Sequence, residues 1–367
     1  RFRNGCVPVP NSIPPLARRA KALLYRAVWS LLYLGGHGAN FAWLGRKTVQ
    51  MTRIDDPWVH HEPTQKVLRM LTDAGYQAYF VGGCVRNALM GLPANDIDIA
   101  TDALPEKVMA LAEAAGLHAI GTGVEHGTVT VISNHMPHEV TTFRRDVETD
   151  GRRAVVVFSK DINDDAHRRD FTMNALYADS VGRVVDPLSG LGDLRARRIR
   201  FVDDATLRIK EDFLRTLRFF RFHAWYGDDD AGIDAEGLAA CAANVDGIET
   251  LSRERLGQEM RKLFAAPNPA PSVASFGLSG GLIRVVPGAS ADGLAVLVHV
   301  EESAGLKPDW LRRLAMIGGE DVADRLRLSK AETRALDVLR SDMSPSEIAF
   351  RHGTEAGLNK LAIGKAK

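Results

Sequence analysis

Residues 79–101 read YFVGGCVRNALMGLPANDIDIAT, and the fold is decided by how that stretch is laid out. Tyr79, Phe80 and Val81 have the character of a buried strand end. Gly82 and Gly83 then permit a sharp turn, because glycine adopts positive φ without steric penalty. Residues 84–90 fit a short helix closed by Gly91 and Pro93. A second strand is expected over residues 97–100, carrying Asp96 and Asp98. Side chains alternate across a strand, so the two aspartates share one face while Ile97 and Ile99 point into the core. Two carboxylates about 7 Å apart on one face can share divalent cations through hard oxygen donors. The glycine turn offers backbone N–H groups to a phosphate, and Arg86 adds a charged fork beside it. A Gly-Gly pair alone is ordinarily a turn, and a lone Asp-x-Asp a solvated strand end. In this order and spacing they are the equipment of metal-assisted nucleotidyl transfer.

The 367 residues allow two or three domains with substantial cores, and 45% hydrophobic with 25% charged residues describes a globular chain. Cys6, Cys84 and Cys241 are far apart and form no C-x-x-C pair, which argues against a disulfide framework or zinc site and for a reducing, cytoplasmic setting. The longest apolar run, residues 27–34, is too short to span a bilayer. The net charge of +1 hides an asymmetry. Residues 1–54 hold nine Lys/Arg and no acid, so the remainder carries 47 − 9 = 38 bases against 46 acids, a net of −8. A protein of this balance that handles RNA must concentrate its positive charge, and residues 195–221 do so with nine basic and four acidic residues.

The opening stretch resembles the signature of the class II tRNA nucleotidyltransferase and bacterial poly(A) polymerase family, within the DNA polymerase β superfamily. The resemblance covers residues 79–263 most strongly. GTGVEHGTVTV at 121–131 is family-like, and Arg168-Arg169-Asp170-Phe171-Thr172-Met173-Asn174-Ala175 matches the second family motif almost letter for letter. VVDPLSGLG at 184–192 resembles the turn that closes the palm. The resemblance implies that Gly82, Gly83, Arg86, Arg168 and Arg169 receive the triphosphate, that Asp170 and Asn174 hold the ribose or fix their loop, and that Mg²⁺ sits on Asp96 and Asp98. Glu139, on a later β run, is the candidate for the third carboxylate of the superfamily. Residues 144–165 are polar and suggest a flexible loop beside the site, with a plain surface hairpin as the alternative.

Asp203-Asp204 should cap a helix over residues 205–225. Phe213, Leu217 and Phe220 would pack on one side, with Glu211, Asp212, Arg215, Arg218 and Arg221 opposite. Glu211-Asp212-x-x-Arg215 matches the family motif in which an aspartate and an arginine serve as an amino-acid template. Cytosine and adenine each present an amino donor beside a ring-nitrogen acceptor, which a carboxylate and a guanidinium can pair. Uracil and guanine reverse that pattern and would leave the pair unmatched. By the same resemblance, Glu211 orients Arg215, Arg218 and Arg221 contact triphosphate, and Arg255 and Glu259 brace the template helix.

The expected architecture is α+β: a nucleotidyltransferase palm of mixed sheet and helices at 51–194, a helical neck at 195–266, and a helical body at 267–367. Residues 1–50 read as a non-native or disordered extension ahead of Met51. The 367 − 51 + 1 = 317 residues from Met51 are short for the family, so an incomplete RNA-gripping tail is expected. The activity implied is addition of CCA to the tRNA 3′ end and acceptor stem from CTP and ATP, with pyrophosphate released and no membrane or obligate protein partner. A poly(A) polymerase, an A-only or C-only enzyme, or an inactive RNA-binding protein on the same fold are the alternatives.

Overall fold

The computed structural model describes residues 52–94, 96–147 and 155–367. The expectation for residues 1–50, and the tip of the loop after Arg144, lie outside the described residues. Those described fall within one compact unit, Met51–Lys367, and the architecture is α+β.

Helix α1 (Glu62–Thr72) leads into β1 (Ala78–Val81), α2 (Gly83–Leu89) and β2 (Asp98–Thr101). Helix α3 (Pro105–Ala114), with proline in its first turn, precedes β3 (His118–Gly123), β4 (Thr128–Ser133) and β5 (Met136–Thr142). Strands β6 (Arg144–Val147) and β7 (Val155–Phe158) pair antiparallel with each other in a two-stranded sheet of their own. Helix α4 (Ile162–His167), the two-residue strands β8 (Tyr177–Ala178) and β9 (Val184–Val185), and α5 (Gly190–Arg195) complete the head.

The main sheet has seven strands in the order β3-β4-β5-β2-β1-β8-β9. It is mixed: β2 runs parallel to β5, and the other neighbours are antiparallel. In β4 the alternation of Thr128-Val129-Thr130-Val131 buries the valines fully and leaves the threonines half-buried, as a strand with one packed face requires. The parallel crossover has a functional consequence. It sets the start of β2 beside the middle of β5, with Asp98 in register with Glu139.

The helical part begins with α6 (Ala205–Glu211), capped by Asp204 Oδ1 accepting from Leu207 N at 2.8 Å. The single helix expected over 205–225 is two. Asp212 is extended (φ −153°, ψ 104°), and α7 (Leu214–Tyr226) starts afresh behind it. The cause is local: Asp212 Oδ1 accepts from Leu214 N at 3.1 Å, an aspartate turn that competes with continued helix. Helices α8 (Ala235–Ala243) and α9 (Arg253–Phe264) follow, the latter capped by Ser252.

Beyond Pro267 the chain is helical to its last residues. The Pro-rich connector is held by buried Arg313, which donates to the carbonyls of Phe264, Ala266 and Pro267 and pairs with buried Glu301. One apolar core runs from Ile54 to Ala366 through head, neck and body. At the head–neck seam Phe171 packs on Phe201 (5.0 Å) and Phe222 (4.9 Å), and Phe201 stacks on Phe219 (5.3 Å). Such pairs each add about 1 kcal/mol beyond their burial. Among the described residues no helix is long and apolar enough to cross a membrane.

Candidate active site

The carboxylates Asp96, Asp98 and Glu139 lie where β1 finishes and β2 begins, beside the middle of β5. Asp98 opens β2 and is half-buried, whereas Asp96 lies outside the strand in the preceding bend and is exposed. Glu139 on β5 sits in register with Asp98, and Thr130 of β4 with Glu139. Side chains in register on adjacent strands share a face, so Glu139 flanks Asp98. Its position was legible in the sequence; its register was not.

Burial is the main cause that pushes the Asp98 carboxyl up to about 6. Glu139 and Asp96 add to the rise, and Arg169 opposes it. Among the described residues none of these three carboxylates has an ion-pair partner within 4.0 Å. The site therefore carries uncompensated negative charge, the condition that favours a divalent cation. Among the described residues no three His, Cys, Asp or Glu side chains converge into a cage that would hold a metal unaided. A carboxylate pair of this kind leaves further coordination positions of a divalent cation to other oxygen donors.

Gly82 ends β1 at φ 72°, ψ −120°, a conformation closed to residues with a side chain. A Cβ there would also lie 3.3 Å from Arg169 Nη1. Arg169 is thus pressed against the glycine turn, and its charge is felt by Asp98. It is aimed by Asp165 Oδ2, which accepts from Arg169 Nη2 at 2.7 Å and from the Tyr177 hydroxyl at 2.7 Å. Asp165 escaped the sequence reading: it lies on α4, and Arg169 lies two residues past that helix's end.

The other predicted nucleotide-binding residues divide. Arg86 is buried and donates to Asn174 Oδ1 (2.5 Å), Asn87 Oδ1 (2.8 Å) and the Tyr226 hydroxyl (2.9 Å), with its guanidinium 4.1 Å above the Tyr226 ring. Burial, followed by neighbouring charges that partly cancel, holds its pKa below the ordinary arginine range. Asp170 accepts from Arg218 Nε (2.7 Å), Arg218 Nη2 (2.5 Å), Asn174 Nδ2 (2.9 Å) and Phe171 N (2.8 Å). Arg221 pairs with Glu259 at 2.6 Å, and Arg218 reaches Glu259 at 4.0 Å. Of the two roles open for Asp170 and Asn174, fixing the loop is the one their contacts fill.

Arg86, Arg218 and Arg221, expected at the triphosphate, each have protein partners in this structure. All three lie around Phe222; Arg86 and Arg218 join the head to the neck as a brace through Tyr226 and Asp170, and Arg221 is held within the neck by Glu259. Arg168 lies in the same loop, and its carbonyl accepts from Arg215 Nη2 at 3.1 Å.

Arg215 also donates from Nη1 to Arg208 O (2.9 Å) and Glu211 (2.5 Å). A guanidinium has five N–H groups, so Nε–H and one Nη2–H are left to give. Asp212 accepts from Arg255 Nη2 at 2.7 Å through Oδ2, and its two oxygens keep spare lone pairs. Glu211 therefore fixes Arg215, Arg255 fixes Asp212, and both retain capacity for a base edge.

A mixed sheet with a glycine turn and paired carboxylates at its end, joined to a helical arm, defines a nucleotidyltransferase-type head on a helical support. The poly A polymerase head domain matches residues 78–200, about a third of the chain. It is 40% identical over 254 residues to the CCA-adding enzyme of Geobacillus thermodenitrificans (strain NG80-2), covering 68% of this chain and 56% of that protein. It is 44% identical over 209 residues to that of Streptococcus pyogenes serotype M2 (strain MGAS10270), covering 56% and 50%. The chain thus spans about half the length of the curated relatives it matches. The crystal structure of the Bacillus stearothermophilus CCA-adding enzyme in complex with CTP superimposes with a TM-score of 0.64 at 29% identity, over 83% of this chain and 78% of that one. A Thermotoga maritima CCA-adding enzyme complexed with tRNA has the same fold (TM-score 0.64, 20% identity, 85% and 81%).

Proposed function

We propose that this protein is a template-independent RNA nucleotidyltransferase that adds CCA to the 3′ end of tRNA from CTP and ATP. The observation that carries the reading is the unpaired Asp98 and Glu139 in register across parallel strands, with Asp96 two residues before and the Gly82 turn beside them. The relatives named CCA-adding enzymes, and the structure with CTP, support the substrate assignment.

Asp96 and Asp98 would hold the cation, Mg²⁺ in this reading, with Glu139 keeping the local potential negative. When bound, a divalent cation supplies positive charge that acidifies the RNA 3′-hydroxyl and steadies the triphosphate. The N–H groups of the Gly82–Gly83 turn and Arg169 receive the phosphates. Asp212 accepts from the amino group of cytosine or adenine while Arg215 donates to the ring nitrogen. The 3′-hydroxyl attacks the α-phosphorus, a P–O bond forms to the RNA, the bond to the β-phosphate oxygen breaks, and pyrophosphate leaves. The palm at 51–194 carries the chemistry, the neck at 195–266 the base choice and the body at 267–367 the RNA support. A cytoplasmic location goes with this work.

The deciding experiment incubates the purified protein with Mg²⁺, tRNA ending at the discriminator base, and each labelled nucleotide, sizing products at single-nucleotide resolution. Addition of C, C and A is the expected result. A ladder of A would make it a poly(A) polymerase, and no extension would leave an RNA-binding protein on an inactive palm.

A further inference from the structure

The last carbonyls of a helix have no partners within it. At the end of α4 two neck guanidiniums supply them: Arg208 Nη1 donates to His167 O (3.0 Å), and Arg215 Nη2 to Arg168 O (3.1 Å). These arginines stand on opposite sides of the break at Asp212, Arg208 on α6 and Arg215 on α7. Glu211 ties them together, pairing with Arg208 through Oε1 and with Arg215 through Oε2. Glu211 is exposed, so a carboxylate that lost one of these partners would be free to turn toward water. Arg208 is half-buried, and its Nε–H is buried without a hydrogen-bond partner among the described residues. An unpaired buried donor is destabilising, so stability alone is a weak reason for a guanidinium at this position.

Arg215 has three anchors, the carbonyls of Arg208 and Arg168 and the carboxylate of Glu211. A guanidinium is planar and rigid, so these anchors fix the direction of its two remaining N–H groups. Two of the anchors are backbone. The third depends on another side chain, because Arg208 holds the far oxygen of Glu211 and ties it through His167 O to the head loop. We propose that Arg208 is a positioning residue for base choice: acting through Glu211, it sets the angle at which Arg215 offers its free N–H groups to the incoming base. The same contact joins the loop of Arg169, which meets the phosphates, to the residues that meet the base, so both ends of one nucleotide share a support. Without the Arg208 side chain, Arg215 keeps its carbonyl anchors but is free to tilt. A tilted guanidinium donates as readily to a carbonyl oxygen of uracil as to the ring nitrogen of cytosine. The inference rests on the reading of Asp212 and Arg215 as the residues that pair with the base, and adds what holds them in register.

The test needs no turnover. Dissociation constants of labelled CTP, ATP, UTP and GTP are measured by equilibrium dialysis with Mg²⁺ on the full chain, as wild type and as Arg208→Ala. The backbone carbonyl at 208 survives this substitution, so only the side chain's part is removed. The preference for CTP over UTP should fall about tenfold, the worth of one misaligned hydrogen bond to a charged group. Partial unfolding weakens all four nucleotides alike and cancels in the ratio, so a merely structural role leaves the preference unmoved. Should Arg208→Ala fail to fold, Arg208→Met keeps the packing of the stem and a good helix former, and the same ratio is read from it. Adding Glu211→Gln to the Arg208 variant checks the route: if Arg208 acts through Glu211, the second substitution lowers the ratio by less than about twofold more. Losses that multiply as if independent, an unchanged ratio, or equal weakening of all four nucleotides each overturn the proposal. Asp212→Ala in the same dialysis separates the two readings. If it lowers the preference and Arg208→Ala does not, this inference alone falls; if neither does, or if the wild type is indifferent to the base, the template reading falls with it.

Discussion

Arg218→Ala separates the brace from a phosphate ligand. Asp170 is only 9% exposed and takes two of its four hydrogen bonds from Arg218. Removing one partner of a buried pair typically costs about 3–5 kcal/mol, because the remaining charge stays desolvated. Arg218 keeps 30% of its side-chain surface in solvent, and Asn174 and Phe171 N still serve Asp170, so about 3 kcal/mol is expected. Urea unfolding at pH 7.5 should show a lower midpoint with an unchanged slope. The pH dependence carries a sign. Burial opposes the Asp170 charge, but Arg218 and the hydrogen bonds outweigh it and hold the folded carboxyl below its unfolded value. The wild-type pair therefore contributes fully above the unfolded pKa of roughly 3.9 and loses that contribution as pH falls through the folded value. In the variant the unpaired carboxyl should rise instead, and protonation relieves it, so the deficit should shrink as pH drops from 7.5 toward 5. A loss below about 1 kcal/mol, or a deficit independent of pH with only nucleotide KM changed, would refute the brace and restore the phosphate role.

Asp96→Ala and Asp98→Ala should abolish addition of both C and A while circular dichroism stays native; near-normal turnover in either would end the two-carboxylate assignment. Because the folded Asp98 carboxyl sits at about 6, above its unfolded value, its ionisation costs stability in full above pH 6 and nothing below roughly pH 3.9. Asp98→Asn should thus raise the thermal midpoint at pH 7.5 and leave it unchanged near pH 3.5, which a pair of melting curves checks. Gly82→Ala meets positive φ and a 3.3 Å approach to Arg169 Nη1, and should lose about 1–2 kcal/mol in urea unfolding together with most activity. Asp212→Ala should weaken discrimination against UTP and GTP more than it slows CTP and ATP; equal losses with all four nucleotides would reduce Asp212 to a helix cap.

The sequence alone determined the parts whose information is local. The glycine turn and the cap at Asp204 are set by backbone preference, whereas Asp96, expected on one strand with Asp98, lies in the bend before β2. Short motifs are also what single out Arg169, Glu211, Asp212 and Arg215 as candidates to meet a nucleotide. What tertiary structure alone decided is which charges remain free. Arg86, Arg218 and Arg221 resemble phosphate ligands in the chain, yet their partners Asn174, Tyr226, Asp170 and Glu259 lie 38 to 140 residues away and meet them only in the folded chain. The break at Asp212 was open to a local reading, but its fixing by Arg255, 43 residues on, was not. The parallel pairing of β2 with β5 brings Glu139 to Asp98. A parallel partner follows no local pattern, because its register is set by the crossover and the core packed beneath it, so the third carboxylate could be named from the sequence but only the fold could seat it.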